Sequence, residues 1–139
     1  MSTIGINDAI PQILSEYKNI AVVGVSTKPD RDSHSVAKYM LMNGYNMIPV
    51  NPMYPEVLGK TCYPSLLTLP EKIELVDIFR KSDQVVPIVE QAIQIGARAV
   101  WMQLGVINEE AAKLALDAGL KVVMNRCWKI EYQNYSNNF

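Results

Sequence analysis

Five short apolar runs constrain this chain more than any other feature: "IAVVGV" (20–25), "NMIPVNP" (46–52), "IELVDIF" (73–79), "RAVWMQ" (98–103) and "LKVVMN" (120–125). Each is rich in β-branched residues and too short for a buried helix, so each reads as a strand. Their apolar residues are nearly continuous, the pattern of strands covered on both faces in a parallel sheet. Helical spacing fills most of the gaps. Ser33 to Asn43 places Val36, Tyr39, Met40 and Met42 at that spacing and stops at Gly44. Asp83 to Ile95 is closed by Gly96. "NEEAAKLALDAG" (108–119) has an asparagine cap, two acids in its first turn and a closing glycine. A first helix, capped by Asn7 or Asp8, runs to Tyr17 with Ile10, Ile13 and Leu14 on one face. The connection between the second and third strands, 53–72, reads as loop.

Strand–helix alternation with right-handed crossovers implies an α/β fold. We expect a Rossmann-like, doubly wound parallel sheet of five strands in the order 3-2-1-4-5, with helices on both faces. The length of 139 residues fits a single domain spanning 1–139. Residues 1–18 are expected to hold the N-terminal helix, and 132–139 to form a frayed tail.

Composition removes several function classes. A formal net charge of −1 gives no support for binding a nucleic-acid backbone. Cys62 and Cys127 lie far apart and His34 is the single histidine, so no Cys/His metal site is expected. The N-terminus lacks the pattern of a secretory signal, and no apolar run is long enough to span a bilayer. The expectation is a cytoplasmic protein with reduced thiols and no membrane partner.

In an open parallel sheet, ligands bind beyond the carboxyl ends of the strands, where the strand order reverses. The residues delivered there can be read from the chain. Strand 1 leads into Gly24, Val25, Ser26, Lys28, Arg31, Ser33 and Ser35. Strand 2 ends in Val50, Asn51 and Pro52. Strand 3 delivers Phe79, Arg80 and Lys81, strand 4 delivers Gln103 and Gly105, and strand 5 delivers Asn125, Arg126 and Cys127. This edge is basic in a nearly neutral chain. The helix beginning near Ser33 adds its unpaired N–H groups and positive dipole end, so the natural ligand is anionic and carries phosphate. An NAD site usually has a carboxylate after strand 2 and three fingerprint glycines. Asn51 and a lone Gly24 stand here instead. NADP and multiply phosphorylated ligands with a long amide arm stay open.

Blander roles compete for several of these residues. Gly24 also suits a plain tight turn, Ser33 and Ser35 suit helix caps, and Lys28 and Lys81 suit solvated surface positions. His34 reads as a neighbour of the helix start or a ligand contact, Cys127 as a structural thiol. No catalytic constellation and no metal cluster emerges.

The segments "VVGVSTKPDRDSHSVAKYM", "GYNMIPVNP", "EVLGKTCYPSL", "VDIF" and "WMQLGVINEEAAKLALDAGLKVVMNRCWKIE" together resemble the small single-domain CoA-binding proteins. That family is similar to the N-terminal CoA-binding domain of the succinyl-CoA synthetase α subunit. The resemblance spans roughly Asn19 to Glu131 in the same order. It implies coenzyme A, or an acyl-CoA, bound in the strand-end crevice. The loop and helix start at Gly24, Val25, Ser26, Lys28, Arg31, Ser33 and Ser35 would cradle phosphates. Val50, Asn51 and Pro52 would line the adenosine, and Phe79, Arg80, Gln103 and Gly105 would flank the pantetheine arm. The chain departs from the family's Met-Asp-Arg-Cys motif at Asn125 and carries Tyr132 where a histidine is usual. The phosphorylated histidine of the synthetase belongs to a second domain, for which this chain has no room. The resulting expectation is a CoA-binding carrier or regulatory module without catalysis of its own, with a homo-oligomer or a protein partner left open. The alternative is a small NADP- or other nucleotide-dependent enzyme.

Overall fold

The computed structural model describes residues 5–138. Helix α1 (Ile10–Glu16) precedes strand β1 (Asn19–Val23), helix α2 (Asp32–Met42) and strand β2 (Asn46–Val50). A hairpin of β3 (Glu56–Val57) and β4 (Lys60–Thr61) and a 3-10 turn at Leu66–Thr68 lead to β5 (Leu75–Ile78). A 3-10 turn at Ser82–Gln84 opens into α3 (Val85–Gln94). Then follow β6 (Ala99–Met102), α4 (Glu109–Asp117), β7 (Lys121–Val123) and α5 (Trp128–Ser136). The five apolar runs form one all-parallel sheet in the order β2-β1-β5-β6-β7.

Strand parity sorts the core into two halves, as period-two geometry requires. Ala21, Val23, Val76, Ile78, Val100 and Met102 point to the face covered by α3 and α4, meeting Val85, Val89, Ala111 and Ala115. Ile20, Val22, Leu75, Ala99 and Trp101 point to the other, meeting Leu14 of α1, Met40 of α2 and Trp128 of α5. The expected α/β class, five parallel strands and double coverage are all present.

The expected order 3-2-1-4-5 is not. The third run, β5, pairs with β1 and leaves β2 at the edge, giving 2-1-3-4-5 in the order of the runs. Pro49 is the physical reason. It sits in β2 opposite Val22, with its carbonyl pointing away from β1 to accept from Tyr63 N (3.0 Å). Its nitrogen faces the same outer side and carries no hydrogen, so a full strand cannot hydrogen-bond there. A short stretch around Tyr63 covers this edge instead, with Asn51 N donating back to Tyr63 O (2.9 Å). The connection read as loop also contains the β3–β4 hairpin, turned by Leu58 (φ 54°) and Gly59 (φ 74°).

Two end segments differ from expectation. Asn7 does not cap α1, whose cap position is Ala9 with no side-chain bond. Its amide instead clasps the end of β7: Oδ1 accepts from Met124 N (2.7 Å) and Nδ2 donates to Met124 O (3.2 Å). Asp8 accepts from Gly5 N (2.9 Å) and does not cap either. The tail expected to fray from residue 132 is helical to Ser136. Tyr132 stacks on Trp128, one turn earlier, with ring centroids 5.3 Å apart, and meets Tyr45 and Tyr39 edge-on. Such aromatic pairs contribute beyond the area they bury.

Candidate functional site

A cleft of ≈ 1090 Å³ opens beyond the carboxyl ends of β1, β5 and β6, beside the point where the chain reverses direction across the sheet. Ligand pockets typically measure ~300–1,000 Å³, so this one is ample for a large cofactor.

The β1 end fixes its floor. Gly24 has φ +87° and donates from N to Val50 O (2.9 Å), while Phe79 N donates to Val23 O (2.8 Å). A Cβ on Gly24 would stand 2.1 Å from Phe79 O, so any side chain collides with the β5 backbone. Gly24 therefore does more than turn the chain. It lets the ends of β1 and β5 close together and brings Arg80 beside the loop.

Helix α2 supplies the second wall. Its cap residue is Arg31, whose side chain makes no cap bond, and its first turn lines the cleft. Ser33 is buried and accepts from Ser26 N (2.9 Å), so it ties loop to helix rather than capping. Ser35 accepts from Lys129 Nζ at 3.4 Å. Lys129 also lies over the Tyr39 ring, 5.1 Å from its centroid. Uncapped N–H groups with Arg31, Arg80, Lys81 and Lys129 on the lining form a site suited to anionic oxygen. Asp30 and Asp32 are the acids among the lining residues.

The third wall comes from β6 and α5. Gln103 is buried and accepts from Trp128 N (3.1 Å), and Trp101 Nε1 donates to Arg126 O (2.9 Å). These bonds hold the start of α5 against the end of β6. Leu104, Val106, Cys127, Ile130 and Gln133 thereby line the cleft. Asn125, in the left-handed region at φ 60°, accepts from Gly105 N (2.8 Å). At this point of departure from the family motif, the amide still closes the β6–α4 loop.

Of the residues expected from the sequence, Gly24, Ser26, Arg31, Ser33, Ser35, Asn51, Phe79, Arg80 and Gln103 line this cleft. Five do not. Val25 is packed in the core, Lys28 is exposed beyond the lining, and Gly105 lies on the outer loop. Val50 and Pro52 border a separate cavity of ≈ 160 Å³ under the Pro64–Leu66 segment, to which Arg80 also contributes. Asn51 is committed in both directions: Nδ2 donates to Val25 O and Oδ1 accepts from Met53 N, each at 2.9 Å. It shapes the β2 end rather than presenting a free amide. His34 and Arg126 stay off the cleft lining. Sequence reasoning missed several lining residues, among them Leu104, Val106, Tyr54, Lys129, Ile130 and Gln133. The last three sit on α5, and the signal for it was the Trp128–Tyr132 spacing of one helical turn.

Cys62 and Asp77 are among the buried titratable groups away from the lining. Burial pushes the Cys62 thiol up, offset in part by the Asn51 backbone; the thiol itself donates to Asn51 O (3.5 Å). Asp77, in the middle of the sheet, is fully buried and neither oxygen has a hydrogen-bond partner. Burial raises its carboxyl well above the usual range. The nearby Ile78 N–H, which lacks hydrogen-bonding geometry to it, offsets part of that. Among the described residues no group of His, Cys, Asp and Glu could hold a metal ion, and no helix is long and apolar enough to cross a membrane.

Comparison with known proteins identifies relatives of the same fold. An uncharacterised protein of Bacillus subtilis (strain 168), YneT, is 41% identical over 123 residues, covering 88% of this chain and 91% of its own. A hypothetical protein from Pyrococcus horikoshii OT3 superposes with a TM-score of 0.91 at 48% identity, covering 98% of this chain and 97% of that one. An ADP-forming acetate–CoA ligase of Archaeoglobus fulgidus is 28% identical over 79% of this chain, which corresponds to 18% of that longer enzyme. Residues 18–133, from the start of β1 to the second turn of α5, match the family described as CoA binding domain, and the chain belongs to that family.

Proposed function

We propose that this chain binds coenzyme A or an acyl-CoA in the β1–β5–β6 cleft, as a carrier or regulatory module. The observation that carries this reading is the meeting of an uncapped helix start with Arg31, Arg80, Lys81 and Lys129 on one cleft. Coenzyme A carries a pyrophosphate and a ribose phosphate, enough negative charge to engage several cations at once. Gly24, Ser26, Ser33 and Ser35 form the loop and first turn against which phosphate oxygens would lie. Phe79 and Gln103 flank the route along which an amide-bearing arm would run. Val25, Val50 and Asn51 support the loop and strand end from behind.

Titration calorimetry with CoA, dephospho-CoA and NADP tests the proposal. CoA is expected to bind well below millimolar, with dephospho-CoA weaker because it lacks the ribose phosphate. NADP binding in the absence of any CoA binding would overturn the reading. Native mass spectrometry of freshly purified protein offers a second check, through the mass of a retained CoA species.

A further inference from the structure

The cleft lining combines cations with a group of apolar side chains from β6 and α5. Arg31, at the cap of α2, and Arg80 and Lys81, after β5, line the same cleft as Gly24, with Arg80 lying close to Gly24 itself. Across from them, β6 and α5 bring forward Leu104, Val106 and Ile130. The Gln103–Trp128 bond holds this side together, because Leu104 follows Gln103 directly and Ile130 lies two residues beyond Trp128. Single exposed apolar residues are ordinary on a protein surface. Here they cluster. Leu104 is 63% exposed and Ile130 is 49% exposed, so two of the strongly exposed large apolar side chains of the described residues line this one cleft.

We propose that this rim is the subsite for an uncharged aliphatic acyl group, making an acyl-CoA with a chain of several methylenes the preferred ligand over free CoA. The inference rests on CoA binding in the cleft as argued above. The charge layout sets the direction: the phosphates go to the cations beside Gly24, and the thioester end of the arm then reaches toward β6 and α5. An acyl chain leaving the sulfur there meets Leu104, Ile130 and the partly covered Val106, and removes their exposed surface from water. A fully buried methylene is worth ~0.8 kcal/mol, or about four-fold in affinity. Partial burial of a six-carbon chain on an open rim should still give about ten-fold or more. A terminal carboxylate would lose that gain, because Leu104, Val106 and Ile130 offer it no donor and the neighbouring Lys129 is already engaged by Ser35 and the Tyr39 ring.

Calorimetric affinities for CoA, hexanoyl-CoA and succinyl-CoA test this, measured on the whole chain and on Leu104→Asp and Ile130→Asp. Both substituted positions are exposed, so both variants should fold, and circular dichroism melting verifies it. The expected result is hexanoyl-CoA about ten-fold tighter than CoA, succinyl-CoA close to CoA, and a hexanoyl-to-CoA ratio near one in either variant. Equal affinity of the wild-type chain for CoA and hexanoyl-CoA overturns the acyl subsite while leaving CoA binding intact. A ratio that survives both variants overturns its placement on this rim. Failure of all three ligands to bind overturns the underlying CoA reading, and is distinguishable from the first two results.

Discussion

The two long walls of the cleft are built in different ways. The β1–α2 wall is contiguous in the chain: strand, Gly24, a polar loop and a helix start, tied by short-range bonds such as Ser26 N to Ser33 Oγ. The β6–α5 wall is assembled from segments about 25 residues apart, through Gln103 to Trp128 and Trp101 to Arg126. Its helix is further held by the distant Tyr45, whose ring meets Trp128 and Tyr132 of α5 edge-on. The first wall offers N–H groups and Arg31, the second offers apolar surface together with Lys129. A locally encoded loop serves phosphate because its donors are backbone groups and dipoles, which local conformation already orients. An apolar wall exists only when distant side chains pack.

Breaking either wall should therefore have different consequences. The largest effect is expected for Gly24→Ala, where the new Cβ meets a backbone carbonyl that cannot rotate away. Destabilisation of about 4–5 kcal/mol or more, read by denaturant unfolding, would mark this as one of the severe single substitutions. Trp128→Ala removes the buried anchor of the second wall and should cost about 3–4 kcal/mol. Hydrogen exchange should then show α5 loosened while β1 and α2 keep their protection. Uniform loss of protection would mean that the walls are not separable.

Arg31→Ala should leave stability nearly unchanged, because the residue is exposed and its side chain makes no cap bond. It should weaken CoA binding by about 1.5–3 kcal/mol, the worth of a charge-assisted bond to phosphate, measured by calorimetry. Unchanged affinity would remove Arg31 from the phosphate wall.

Asp77 lies at the seam, in register with Val22 of the first wall's strand and Trp101 of the second's. Its native carboxyl holds a proton to higher pH than the unfolded chain, where the ordinary value is 3.8. Its contribution to stability is thus fully present below that pH and is lost as pH rises through the raised native value. Asp77→Asn, which cannot ionise, should flatten this decline in urea midpoints measured from pH 4 upward. An identical slope in both proteins would show that Asp77 is not the group responsible. This is the smallest expected effect, since it alters a pH slope rather than either wall's framework.

Legibility in the sequence followed the range of the interactions involved. The α4 cap was readable because Asn108 accepts from Ala111 N three residues on (2.9 Å), a bond that local geometry permits alone. Gly24, Arg31, Ser33 and Arg80 were readable because strand ends and helix starts announce themselves in the chain. Asn7 looked like the same kind of cap. Its actual partner, Met124, is 117 residues away, and nothing local distinguishes the two uses. Asn51 posed a similar ambiguity: its position beside the ligand crevice was legible, its commitment to Val25 and Met53 was not. Pro49 was a readable signal for an edge strand, and it alone bears against the order 3-2-1-4-5.

The sequence by itself determined the α/β class, the five strands, a helix beginning near Ser33 and the cationic strand ends, because periodicity, punctuation and charge are properties of neighbouring residues. The tertiary structure decided which strand lies beside β1, that α5 is a packed helix rather than a frayed tail, and that Leu104 and Ile130 border the same cleft as Arg31. Those outcomes depend on pairing and burial between residues far apart in the chain, where many arrangements satisfy the local rules and packing selects one.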